Sequence, residues 1–122
     1  HWYGTREGSA RIGANSQVLA GAVIVAGAEI GEASIINTKS SGDHECILGD
    51  GVHIAPGVTL CGCVKIGSYT MISAGAVVVL PRIGIGPNVL VGAGSVVIWV
   101  LPENVVAIGV PAKVVRENCG GC

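Results

Sequence analysis

The chain has no phenylalanine, two tryptophans, two tyrosines and one methionine in 122 residues. An ordinary globular core of this length uses more aromatic volume than that. Charge is scarce as well: Asp, Glu, Lys and Arg make up 12% of the residues, and the net charge is −1. Without a basic stripe or an aromatic platform, nucleic-acid binding is not expected. Long hydrophobic runs are missing too. The most apolar stretch, SVVIWVLP, is far too short to span a bilayer. No secretory signal is visible, so a cytoplasmic protein with no membrane partner is expected. Five cysteines are an odd number and do not suit a disulfide framework. Cys119 and Cys122 form a C-x-x-C at the end of the chain, but a zinc site would want two more ligands. No metal is expected.

What is present is glycine, at 20 residues, and a surplus of Val, Ile and Ala. These fall into a repeat. Stepping by six from Ile12 meets Val18, Ile24, Ile30, Ile36, Gly42, Leu48, Ile54, Leu60, Ile66, Ile72 and Val78. All but Gly42 are branched aliphatics. Four residues after each stands a small or β-branched side chain, from Ser16 and Ala22 through Cys46 to Thr70 and Ala76. That period is neither helical nor a simple alternation. It describes short strands joined by turns, each strand sending one aliphatic inward, with successive coils stacked as parallel β-structure. The fold expected is an all-β parallel β-helix whose core is made of aliphatic columns.

Two irregularities stand out. Ile72 to Ile85 is one residue longer than two repeats, which places a bulge or small excursion in Val78–Gly84, where Pro81 would break the ladder. Gly42 lacks the inward side chain just before His44, which suggests that the chain leaves the prism there as a short loop. From LPENVVAIGVPAKVVREN onward the repeat ends, and Pro111 is well suited to open a short cap helix running to about Asn118. The division expected is a lead-in at 1–11, the β-helix at 12–99, a C-terminal extension and cap helix at 100–118, and a tail at 119–122.

The hexads, the closing phrase LPENVVAIGVPAK and the stretch INTKSSGDHECILGDGVHIAPG together resemble the hexapeptide-repeat, left-handed β-helix acetyltransferases. Within them the match is to the enzymes that act on sialic acids and nucleotide-linked amino sugars. The resemblance covers roughly Ile12 to Val115. It implies a left-handed triangular prism with three hexads per coil, a homotrimer, and transfer of acetyl from acetyl-CoA to an amine or hydroxyl of a small-molecule sugar acceptor.

It also implies roles. His44 matches the general base, as suits an imidazole near neutral pH. Glu45 matches the carboxylate that makes the base more basic, and Asp43 the position flanking it. His53 matches a histidine that contacts acetyl-CoA, where a donor near the thioester carbonyl would steady an oxyanion. Asn37 matches a supporting residue near the base. Ala74 and Ala93 match backbone contacts to acetyl-CoA. They are nineteen residues apart, one coil plus the extra residue, so their turns should stack. Lys113, with Arg116, is placed to meet CoA phosphates. Nine residues is half a circuit, so His44 and His53 should stand on separate parts of one prism, and a site using both must borrow one from a neighbouring subunit.

Some features depart from that family. Its sugar-modifying members carry a small α/β domain before the prism, whereas only HWYGTREGSAR precedes the first hexad here. The acceptor site is therefore expected to be absent, on a part not shown, or built from trimer edges. Trp99 stands where a polar residue is usual. Two other readings are a non-catalytic or truncated β-helix scaffold and a γ-carbonic-anhydrase-like metalloenzyme. The second would want an H-x4-H spacing that this sequence lacks.

Overall fold

The computed structural model describes residues 5–6, 10–24, 27–42 and 45–118. It is a parallel β-helix of about five turns, left-handed like its structural neighbours. Two-residue strands build three ladders. Sheet B stacks β1 (Thr5–Arg6), β4 (Val23–Ile24), β7 (Ser41–Gly42), β10 (Thr59–Leu60), β13 (Val77–Val78) and β16 (Val96–Val97). Sheet C stacks β2 (Arg11–Ile12), β5 (Glu29–Ile30), β8 (Ile47–Leu48), β11 (Lys65–Ile66) and β14 (Gly84–Ile85). Sheet A stacks β3 (Gln17–Val18), β6 (Ile35–Ile36), β9 (His53–Ile54), β12 (Met71–Ile72), β15 (Leu90–Val91), β17 (Val105–Gly109) and β18 (Ala112–Glu117).

The chain visits the sheets in the order B, C, A, so each hexad is one side of a triangle. In the two-residue strands from Gln17 on whose side chains are described, the second residue points inward wherever it is not glycine. Ile36, Ile54, Ile72 and Val91 form one buried column, and Ile30, Leu48, Ile66 and Ile85 another. The small residues of the repeat are buried at the corners. Their hydroxyls complete the ladder: Ser34 Oγ donates to the Gly49 carbonyl at 3.0 Å and accepts from the Val52 amide at 3.1 Å. These buried hydroxyls are thus paired, as a low-dielectric core requires. The Gly that follows each inward aliphatic of sheet C has a steric cause. A Cβ on Gly31 would lie 2.7 Å from the Gly49 carbonyl carbon, and one on Gly67 2.6 Å from that of Gly86.

The extra residue falls where the repeat slips. Lys65 pairs with Ile47, eighteen residues back, but with Gly84, nineteen residues on. Leu80, Pro81 and Arg82 form the wider turn, and the Arg82 amide still reaches the Gly62 carbonyl at 3.0 Å.

Two expectations are corrected. Gly42 does not leave the prism. It pairs in register with Ile24 and Leu60, and Ile30 pairs with Leu48 with no residue gained. The backbone ladder holds the strand without its side chain. The cost is an apolar cavity of ≈ 20 Å³ lined by Ile36, Gly42, Cys46, Leu48, Ile54 and Leu60. The cap helix is also absent: Ala112–Glu117 is strand β18, antiparallel to β17. Pro111 sits in the hairpin turn instead of a first helical turn. The parallel ladder of sheet A ends on β17, whose outer edge needs a partner, and Val114 and Val115 favour extended backbone.

Candidate functional site

Three edges run along the prism. The edge between sheets A and B carries most of the candidate residues. At its lower end is the turn after β6, where Asn37 accepts from the Thr38 amide through Oδ1 at 2.7 Å and from Ser40 Oγ through its carbonyl at 2.6 Å. One coil higher comes β9, with His53 on the outer face of sheet A between Ile35 and Met71. Its Nε2 is buried and has no hydrogen-bond partner among the described residues. A buried polar nitrogen left unpaired costs about 1–3 kcal/mol, so it calls for an explanation.

Above it the turns stack. The Gly57 amide donates to Thr38, Gly75 to Pro56, and Gly94 to Ala74 at 2.9 Å. The turns of Ala74 and Ala93 therefore lie directly over one another. Both alanines are exposed, and at Gly75 and Gly94 an added Cβ would meet nothing within 4 Å. Their φ of +71° and +68° is one glycine holds without strain. The backbone along this edge is bare and open. At the top, the Gly109 amide donates to Ser95 Oγ at 3.0 Å, which seats the β17–β18 hairpin over the Ala93 turn. Lys113, opposite Ile108, is exposed there, as is Arg116. His53, Ala74, Ala93 and Lys113 thus climb a single edge, with Asn37 one coil below.

Glu45 stands on a different edge, between sheets B and C. It is exposed with φ +57°, and its carboxylate Oε2 accepts from the Cys63 thiol at 3.6 Å. A groove of ≈ 420 Å³ over the outer face of sheet B, lined by Ser41, Thr59, Cys61, Val77 and Val79 among others, separates the two edges. Asp43 and His44 lie outside the described residues, as do Cys119 and Cys122. Among the described residues no group of three or more His, Cys, Asp or Glu is placed to hold a metal. Among the described residues no helix is long and apolar enough to cross a membrane. The carboxylate–thiol contact between Glu45 and Cys63 is the feature that sequence reading missed. Its only signal was a spacing of one coil.

Fold and repeat define a left-handed β-helix with an open edge at the Ala74 and Ala93 turns. Comparison narrows this. Residues 45–80 match the family model described as bacterial transferase hexapeptide (six repeats). The structure superposes with TM-score 0.91 on perosamine N-acetyltransferase from Caulobacter crescentus in complex with CoA and GDP-perosamine. Identity is 40%, covering 94% of this chain and 54% of that one. The sequence is 38% identical over 93 residues to galactoside O-acetyltransferase of Escherichia coli, 62% of this chain and 45% of the relative. It is 35% identical over 113 residues to serine acetyltransferase of Staphylococcus aureus, 84% of this chain and 53% of the relative. The chain thus carries the hexapeptide repeat of bacterial transferases and is similar in sequence and fold to acetyltransferases built on it. It spans about half the length of the curated relatives it matches.

Proposed function

We propose that the chain is the catalytic prism of an acetyl-CoA-dependent acetyltransferase, acting in the cytoplasm on an amine or hydroxyl of a sugar. The observation that carries this reading is the single open edge on which His53, Ala74, Ala93 and Lys113 fall together. Bare backbone at the Ala74 and Ala93 turns suits the close approach of a long, thin ligand. Lys113 at the top of the edge suits phosphate. The unpaired Nε2 of His53 supports a hydrogen bond to the thioester carbonyl, where it would steady charge that develops on oxygen. Asn37 lies one coil below as a supporting polar group.

In this reading His44 takes the proton from the acceptor nitrogen or oxygen as that atom attacks the thioester carbon. The carbon–sulfur bond then breaks, and CoA leaves as the thiolate or thiol. Glu45 favours the protonated imidazole through its negative charge. Its edge is separated from the cofactor edge by the whole of sheet B, so the base and the thioester come from different subunits of a homotrimer. The similar proteins include acetyltransferases of perosamine, bound as GDP-perosamine, and of a galactoside, which support a sugar, and also of serine.

The test is turnover of acetyl-CoA with a panel of nucleotide-linked amino sugars, sialic acids, galactosides and serine. His44→Ala is expected to lower kcat by about 10²–10⁴-fold with the best acceptor. Turnover unchanged by that substitution would remove the base from the mechanism. Transfer to serine alone would replace the sugar.

A further inference from the structure

The edge that carries Glu45 has a contact that the proposed reaction does not explain. Gly27, Glu45 and Cys63 succeed one another at the same corner, one coil apart, with φ of +74°, +57° and +59°. Gly27 leaves room that Glu45 uses: the Glu45 Cγ lies 2.9 Å from where a Gly27 Cβ would be. The Glu45 chain is therefore folded down over the glycine. From above, the Cys63 thiol reaches Oε2 at 3.6 Å. A thiol is a weak donor, but an ionised carboxylate is a strong acceptor, and the pair restricts a side chain that is otherwise exposed. Cys63 holds a left-handed φ that Gly27 adopts at this corner two coils below. The side chain, not the backbone, is what a cysteine adds there.

Building on the reading of Glu45 as partner of the base, we propose that Cys63 is a positioning residue. Its S–H holds Oε2, which restricts the rotamer of the carboxylate that the proposed reaction pairs with the base. Cys63 touches neither the acceptor nor the thioester. It acts through Glu45, and the effect should vanish when the carboxylate is gone.

The experiment is a double-mutant cycle on the whole chain, with kcat, the KM for acetyl-CoA and the unfolding midpoint measured for each variant. Cys63→Gly removes the donor while keeping a comfortable backbone. It should lower kcat by about 2–10-fold, the effect of one modest hydrogen bond, with KM unchanged. Cys63→Ser should recover most of the loss, since a hydroxyl can donate to the same oxygen. In a Glu45→Gln background, Cys63→Gly should have no further effect, because interacting sites are non-additive. Equal losses from Cys63→Gly in both backgrounds, or wild-type kcat in Cys63→Gly beside an inactive His44→Ala, would overturn this proposal and leave the parent reading standing. Wild-type activity in His44→Ala would overturn the parent reading, and the role of Cys63 with it.

Discussion

At Gly42 a column of aliphatics is missing one member. The neighbours above and below in sheet C and sheet A stay in register, so the gap is a void and not a loop. A Cβ there would make ordinary contacts, 3.8 Å from Cys46 Sγ and 3.9 Å from Leu60 Cδ1. Gly42→Ala should therefore raise stability by about 1 kcal/mol, through a stiffer unfolded chain and one buried methyl. Urea unfolding would show this as a higher midpoint at constant slope. A lower midpoint would mean that the void has a partner in the native state. The inward aliphatics were legible in the sequence because a six-residue period maps directly onto one inward position per strand. The void was read as a loop because a missing side chain and a departing chain look alike in one dimension. His53 was legible as a histidine of interest, but not as one with a buried, unpaired nitrogen. That depends on Ile35 and Met71, each a full coil away.

At the scale of elements, the end of the prism shows what local signals leave open. Pro111 followed by AKVVREN suits the first turn of a helix or the corner of a hairpin. What decides is the exposed edge of β17, which lies outside any local window. The hairpin is then fastened by asparagines. Asn88 Nδ2 donates to Asn104 Oδ1 at 2.9 Å and to the Asn118 carbonyl at 3.1 Å, and Asn118 Nδ2 returns a bond to the Asn88 carbonyl at 3.0 Å. Asn88→Gly keeps the left-handed φ of 52° but loses these two side-chain bonds and the one its Oδ1 accepts from Asn118 Nδ2 at 3.3 Å. It should cost about 1–2 kcal/mol. Asn88→Ala adds backbone strain and should cost about 1 kcal/mol more. Urea midpoints separate the two, and a Gly variant as stable as wild type would show that the clasp contributes nothing. The slip at Val78–Gly84 was legible because the phase of the repeat counts residues directly. The Glu45–Cys63 contact was not, since eighteen residues become adjacent only once the coil is known.

Over the whole molecule, the geometry divides the proposed chemistry between two edges. One carries open turns, His53 and Lys113; the other carries Glu45 and the chain entering His44. Exposed apolar side chains collect at the upper part of that second edge, with Val79 and Leu80 on one coil and Trp99 and Val100 on the next. A lone prism leaves these two edges apart, and the proposed trimer would set each against its neighbour's complement. The direct test mixes two inactive parents. One is His44→Ala, which keeps its cofactor edge. The other is Ala93→Trp, which keeps its base and blocks that edge. Unfolded together in equal amounts and refolded, they should recover roughly a quarter of wild-type activity, because each shared site needs one intact base and one intact edge at even odds. A mixture as inactive as its parents, from a sample that sediments as trimers, would contradict a site assembled from two subunits.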